Sequence, residues 1–348
     1  MELKEGDIMS SIKEEIALTT PDTVYKSGIG LSKDLSVIKK LLPVISIILA
    51  LILQIVIPNA SVHPVTRPYF TYVLIGTLIV YLIFFGAAFR SRKLNKSLIH
   101  KSYFIAGAVL FLNILNLLTS KYALLPVLYF PALDRVFGVM VEQKEILGKC
   151  ILYSLRLLFT GVICGALVGI TTGICIGFSK IFSYWVSPLI RILGPIPSTA
   201  WIPLILIIFP SAVSASAFLI ALAVWFPTTV MTSSGIANVE NSYFEVTSTL
   251  GAGKFYKIFK VGIPAAMPHM FLGLFNGVCA SFITLVTAEM IGAKYGIGWY
   301  VNWQKEMLSY ANVYAGLIII AVLCCILVTL LFKVRDRVLV WQKGVIKW

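Results

Sequence analysis

Few residues in this 348-residue chain have the means to do chemistry. The three histidines, His63, His100 and His269, stand apart from one another, and no Cys/His spacing matches a metal site. No paired carboxylates or nucleophile motif offer a catalytic centre, so the sequence predicts neither an enzyme nor a cofactor held by this chain. The stretch GAGKF at 251–255 brushes against a phosphate-binding loop. That loop needs a glycine five positions before the Gly-Lys pair and a Ser or Thr after it, whereas Ser248 and Phe255 stand there, so the chain is not expected to bind ATP.

What remains is the chemistry of contact and charge. Two ionisable residues, Arg156 and Glu289, fall inside apolar runs, where a charge is a functional candidate by default. Arginine near the end of a crossing commonly snorkels to headgroups, so Arg156 is read between that role and contact with a substrate anion. Glu289, in AEMIGAKYGIG, is read as a helix-end structural residue in preference to a proton relay. Gly194, Pro195, Pro197 and Pro203 interrupt the run 184–209. A broken helix at membrane depth is tolerated where it faces protein or a water-filled cavity, which makes Pro197 and Trp201 weak candidates for a pathway lining.

A different chemistry belongs to FEVTSTLGAGKFYKIFKVGIPAAMP, residues 244–268, a polar and basic stretch between two long apolar runs. Ser242 and Glu245 have the S-x-x-E spacing of a capping box and predict a short helix carrying Tyr243, Val246 and Leu250 along one side. Gly251 can take the left-handed conformation that ends such a helix. Phe255, Ile258 and Phe259 at i, i+3, i+4 predict a second short helix from Lys254, stopped by Pro264. Two amphipathic helices joined by a glycine elbow suit either a loop resting on headgroups or a docking knob for a soluble partner.

The elements that position these residues are helices in lipid. With 59% hydrophobic and 13% charged residues and a mean hydropathy of +0.92, the chain is far more apolar than a soluble domain. Runs at about 41–57, 70–89, 103–119, 149–178, 184–209, 214–234, 265–288 and 312–332 approach the length that crosses a roughly 30 Å hydrocarbon core. The expected fold is an all-α polytopic membrane protein of about eight crossings. Residues 1–40 are polar and mixed in charge, unlike a cleaved leader, which predicts a cytoplasmic N-terminal segment lying along the membrane or without fixed structure.

Basic residues set the orientation. Lys33, Lys39 and Lys40, then Arg90, Arg92, Lys93, Lys96 and Lys101, then Lys333, Arg335, Arg337, Lys343 and Lys347 fall on one side of eight crossings, with Lys254, Lys257 and Lys260 joining them. The positive-inside rule makes that side cytoplasmic, both termini included. The net charge of +14 is thereby explained by topology, and no soluble basic domain for nucleic acid is visible. Cys150, Cys164, Cys175, Cys279, Cys324 and Cys325 lie in or beside apolar runs and read as buried thiols. Gly165, Gly169, Gly173 and Gly177 recur every four residues and predict a close helix contact. Trp201, Trp299, Tyr300 and Trp303 read as interfacial anchors against lipid.

Glu245, Gly251 and Pro264, with Val261 and Ile263 between, resemble the E-A-A…G…I-x-L-P signature of permease subunits of bacterial ATP-binding cassette importers, with Val246 and Thr247 where that family has alanines. SLRLLFTGVICGALVGITTGICIGFSK (154–180), SPLIRILGPIPSTAWIPLILIIF (187–209), FPTTVMTSSGIANVENSYFEVTSTLGAG (226–253) and LVTAEMIGAKYGIGWYV (285–301) are similar to the nitrate/sulfonate/taurine branch. LLPVLYFPALDRVFGVM (124–140) resembles that branch's external segment. Coverage is roughly 103–340, which reads as a six-helix permease core, with an extra hairpin at 41–89, bearing Pro58, Pro64 and Pro68 in its outer loop, packed outside it.

The resemblance implies a permease that pairs with a second permease subunit, a second copy of itself being expected. Two cytoplasmic ATPase subunits, which bind the ATP, receive the 241–262 helices, with coupling at Glu245, Leu250, Gly251 and Pro264. An extracytoplasmic binding protein delivers a small organic or inorganic anion of nitrate, sulfonate or taurine type, or a vitamin-like precursor. The competing class is a secondary transporter or channel that works without ATP. Such proteins commonly bury ionisable groups near the bilayer midplane, and this chain has almost none there.

Overall fold

The computed structural model describes residues 21–60 and 67–341. Residues 1–20 of the N-terminal segment, Pro64 and His63 of the first loop, and Lys343 and Lys347 of the tail lie outside the described residues. Every regular element among the described residues is a helix, and the contacts gather into two units, 1–138 and 139–348.

In the first unit, α1 (Pro21–Val56), α2 (Tyr69–Arg90) and α3 (Arg92–Asn116, prolonged by a π turn Leu117–Lys121) pack around Ile47, Ala50, Phe70, Leu74 and Val109. The polar stretch 21–40 is helical and runs straight into the first crossing, in place of the surface or unstructured segment expected from its composition. One end of the unit carries a buried polar cluster that the sequence reading did not anticipate. Asp134, 1% exposed, accepts the Phe70 backbone N–H (2.8 Å) at the start of α2, and Gln54 donates to it (3.3 Å). Lys121 donates to the carbonyls of Gln54 (2.8 Å) and Ile57 (2.6 Å) at the end of α1. An acid at a helix N-terminus and a cation at a helix C-terminus each complement the helix dipole and satisfy end groups that lack helical partners.

Burial pushes the Asp134 carboxyl up from its ordinary range, against the opposing pull of the Phe70 N–H, the Lys121 ammonium and the Gln54 amide. Replacing one partner in such a cluster leaves the others unpaired. Asp134→Ala is expected to destabilise the chain by about 3 kcal/mol, and Asp134→Asn, which keeps an acceptor for Phe70, by about 1 kcal/mol. Thermal midpoints of the two variants in one detergent check the order.

The second unit is built on three long helices, α5 (Lys144–Phe178), α8 (Ala212–Ala237) and α11 (Ile263–Gly292). α4 (Leu133–Glu142) leads into α5. Gly161, Gly165, Gly169, Gly173 and Gly177 of α5 face α8, whose Ile220, Val224, Thr228, Thr232 and Ile236 answer them at the same four-residue interval. A Cβ on Gly173 would lie 2.5 Å from Thr232 Cβ and 2.9 Å from the Thr229 carbonyl; one on Gly169 would lie 2.8 Å from Thr228 Cβ. On the other flank of α8, Gly273 and Gly277 of α11 approach Met231, Thr228 and Val224, where an added Cβ would lie 2.8 Å from Met231 Cβ and 3.1 Å from Val224 Cα. The helix-packing role expected of the glycine repeat is thus its geometry here.

α6 (Lys180–Leu193) ends at an elbow of 87°, followed by a 3-10 turn Ser198–Trp201 and the short α7 (Ile202–Ile208). Among the described residues, seven helices are long and apolar enough to cross a membrane, and the bent α6–α7 pair makes eight if counted as one span. α9 (Asn241–Thr249) and α10 (Lys254–Tyr256) precede α11, while α12 (Ile297–Glu306) and α13 (Tyr310–Val338) follow it.

Two readings of side chains change. Tyr300 is fully buried in the α5–α12–α13 core and donates to Gln143 (2.7 Å), so it is a core residue and not an anchor facing lipid. That burial, with the Cys150 thiol alongside, pushes its phenol up to about 12. The six cysteines are all free, but only Cys150 is buried; Cys164, Cys175 and Cys325 are exposed because helices that bury one face against each other leave the opposite face to lipid.

Candidate functional site

Three places in the second unit hold the candidate residues. The first is the connection between α8 and α11. α9 starts at Asn241 with Glu240 at its N-cap and no capping side chain, so the Ser242–Glu245 box does not form. A box requires Ser at the cap in non-helical conformation, and here Ser242 already lies inside the first turn. Glu245 is consequently freed: it is exposed, and among the described residues it makes no hydrogen bond or ion pair.

The end of α9 is as expected. Gly251 has φ +78°, its N–H bonds the Ser248 carbonyl (3.0 Å), and the Ala252 N–H bonds that of Thr247 (3.0 Å). This is a Schellman ending, in which glycine at the left-handed position satisfies carbonyls the helix leaves free. Leu250, 79% exposed, projects at that corner together with Tyr243 and Val246. Phe244 turns inward against Phe178 at the end of α5, ring centroids 6.3 Å apart, and Lys257 donates to Ser248 (2.6 Å), fastening the knob from both sides.

Pro264 does not stop the second helix. α10 passes through a π turn at Lys257–Gly262 into α11, giving one helix from Lys254 to Gly292. The Ile263 N–H bonds Ile258 five residues back, so the ladder has already shifted where proline contributes no donor. Phe255, 80% exposed, and Phe259 therefore ride on the rigid extension of a membrane helix.

The second place is an open cleft of about 550 Å³ under the α6–α7 elbow, walled on its inner side by α8 and α11. Pro197 and Trp201 line it, so these two sequence candidates come together. Gly194 permits the elbow to lie on Phe226, whose ring a side chain there would overlap. Ser198 and Thr284 share a hydrogen bond (2.7 Å) between the elbow and α11. Phe218, Trp225, Phe226 and Asn276 also line it and were missed in the sequence. The signals were there: three aromatics at i, i+7, i+8 on α8, and the single carboxamide of α11 near its middle.

The other two pathway candidates lie elsewhere. Arg156 sits about three turns into α5, on an exposed face and outside the cleft lining. Glu289 is completely buried, at the end of α11. It accepts from Ser154 of α5 (2.6 Å) and from the Gly298 N–H (2.8 Å) in the first turn of α12, and Ser154 in turn accepts the Ile297 N–H (2.9 Å). Gly296, at φ +142°, lets the chain pass directly over the carboxylate, where a Cβ would collide with it. Three helices are stapled at this carboxylate.

Residues 161–340 match the family described as binding-protein-dependent transport system inner membrane component. A protein of Bacillus subtilis named for aliphatic sulfonates transport is 31% identical over 60% of this chain and 75% of its own length. The taurine transport system permease protein of Escherichia coli is 30% identical over 54% of this chain and 69% of its own. The nitrate import permease protein of Synechococcus elongatus is 31% identical over 49% and 64%. Among solved structures, an inward-facing MetNI methionine ABC transporter chain aligns with 57% of this chain and 98% of its own, at 15% identity and a TM-score of 0.49.

Proposed function

Since the chain belongs to the family of binding-protein-dependent transport system inner membrane components, the permeases of ATP-binding cassette importers, we propose that it forms the translocation pathway of an ATP-driven importer and engages its ATPase through residues 241–262. The observation that carries this reading is the α9 knob. A rigidly fastened helix presents exposed Leu250 and an unpaired Glu245 just before a crossing helix that transmits any push along its length. A loop resting on headgroups needs neither the Schellman ending nor the tether from Lys257.

Topology supports the same reading. Between the Arg90 loop and Lys254 lie α3, α5, the bent pair and α8, and only when the pair counts as a crossing do both basic clusters fall on one side. The positive-inside rule then puts the knob and both termini in the cytoplasm. The permease core spans 103–340, pairs with a second permease copy, and receives its substrate from an extracytoplasmic binding protein. By analogy with the named relatives, the substrate is a small anion of nitrate, sulfonate or taurine type, or a vitamin-like precursor. Pro197 and Trp201 line the pathway. ATP is bound by the partner subunit, and coupling requires that ATP and substrate favour different conformations of the assembly.

Purification of the full chain from its native membranes in mild detergent tests this. An ATP-binding cassette subunit is expected to accompany the wild type, and Glu245→Ala to reduce its recovery at least tenfold while the permease itself elutes unchanged. Recovery of no ATPase with the wild type, under conditions that keep other importers intact, would return the ATP-independent class to the lead.

A further inference from the structure

Charge is sparse on α5, and where it falls sets the depth of the helix in the bilayer. Arg156 is the only charged residue from Cys150 to Ser179. From Arg156 to Lys180 the chain rises about 36 Å at 1.5 Å per residue, a little more than the roughly 30 Å of hydrocarbon it has to cross. The far end of α5 meets the α9 knob through Phe178 and Phe244. Arg156 therefore stands at the headgroup level of the opposite leaflet, the outer one by the positive-inside rule.

The Arg156 side chain is exposed, and its guanidinium makes no hydrogen bond or ion pair among the described residues. Glu289, the acid at the neighbouring end of α11, is buried and already engaged by Ser154 and Gly298. A cation at the edge of hydrocarbon is favoured beside an anion, and the protein supplies none here.

Aromatic rings frame the arginine. Tyr153 lies three residues before it on the same face of α5, with its ring centroid 6.4 Å from that of Tyr295 in the link between α11 and α12. Tyr295 stands 6.0 Å from Trp299, which stacks on Trp303 at 5.3 Å along α12. These four rings make one continuous ladder, with Tyr295 and Trp303 exposed. Lys294, exposed and next to Tyr295 in the chain, adds a second cation. The phenol hydroxyls of Tyr153 and Tyr295 make no hydrogen bond among the described residues, so both can donate.

An aromatic anchor needs no cation beside it and no second ring against it. A planar guanidinium that can take two phosphate oxygens, phenol donors and a run of ring faces together match one phospholipid. We infer that this face of α5 and α12 holds an anionic phospholipid of the outer leaflet, its phosphate bound at Arg156 and Tyr153 and its glycerol and upper acyl segments lying along the ladder. A zwitterionic lipid carries its own counter-charge, whereas an anionic one leaves its charge for Arg156 and Lys294. The site stands independently of what the chain transports.

Native mass spectrometry of the full chain, with whatever copurifies in mild detergent, counts bound lipids. Phosphatidylglycerol and phosphatidylcholine of identical acyl chains are the probes. The first phosphatidylglycerol is expected to bind about fivefold tighter than the first phosphatidylcholine, the worth of one basic group near an anionic headgroup. Arg156→Gln is expected to erase that preference and Arg156→Lys to keep part of it. Arg191→Gln, which removes an exposed cation of α6, is expected to leave it unchanged. Should Arg156→Gln not elute as a single species, Tyr295→Ala on the exposed ladder takes its place, with about a threefold loss expected.

Equal affinity for the two lipids, a preference unmoved by the site variant, or one lost equally in Arg191→Gln each overturns the proposal, the last by reducing it to diffuse charge attraction. A soluble anion is told apart by thermal midpoint. Sodium phosphate, against sodium chloride at matched ionic strength, is expected to leave the midpoint unchanged. A rise that Arg156→Gln abolishes would give the arginine to a free anion and overturn the lipid site.

Discussion

Leucine at position 173 is expected to abolish the folded chain, while leucine at position 148 of the same helix is expected to leave it intact. At Gly173 even a methyl group meets Thr232 and the Thr229 carbonyl inside contact distance, and the obstacle is partly backbone, which cannot swing away. Overpacking commonly costs about 1–3 kcal/mol when side chains can readjust. Here the α5–α8 axes must separate, which also loosens Gly165, Gly169 and Gly177 and breaks the interhelical bonds of Thr172 with Thr229 (2.8 Å) and Trp225. In lipid, contact of this kind supplies much of the attraction between helices. At Gly148 an added Cβ meets nothing within 4 Å. Fluorescence-detected size exclusion of tagged variants reads the outcome: a monodisperse wild-type-like peak for Gly148→Leu, aggregate or loss for Gly173→Leu, and a lowered thermal midpoint for Gly173→Ala. A monodisperse, thermally unchanged Gly173→Leu would mean that the two helices do not meet as described.

The second large effect is at Glu289. Alanine there removes the acceptor for the Gly298 N–H and the Ser154 hydroxyl together, both buried where water does not replace it. Each buried group left unpaired costs about 1–3 kcal/mol, so a loss of about 3 kcal/mol or more is expected, with α12 released from α11. Glutamine keeps a carbonyl for Gly298 and can donate to Ser154, whose hydroxyl has a second lone pair beside the one taken by Ile297. Glu289→Gln is therefore expected to retain most of the stability and most of the transport. If the carboxylate instead relayed protons, Gln would be as damaging to transport as Ala while leaving the thermal midpoint near wild type, and that pattern would overturn the staple.

Local rules were legible in the sequence wherever they decided the outcome. Gly251 ends its helix in the left-handed conformation because the Schellman ending depends on a few consecutive residues. The prolines of the 184–209 run break it at a right angle for the same reason. The four-residue glycine interval carried its meaning because small residues on one helix face have little use except close approach. Where two local rules competed, the reading failed: Ser242 and Glu245 have the spacing of a box, but the helix begins at Asn241, and Pro264 is a breaker that a π turn accommodates.

The amino-acid sequence by itself determined that the chain is a bundle of membrane helices, that a short helix with a glycine ending projects between two of them, and which family it belongs to. Those properties follow from composition, period and motif, each read over a few turns of chain. Only the tertiary structure decided what the ionisable and polar residues meet. Asp134 lies 64 residues from the N–H it caps, Glu289 reaches back 135 residues to Ser154, and the cleft joins an elbow, an aromatic face of α8 and a single amide of α11. A buried polar group takes whatever partner the packing of distant helices brings within hydrogen-bond reach, and that distance is not written in the spacing along either helix.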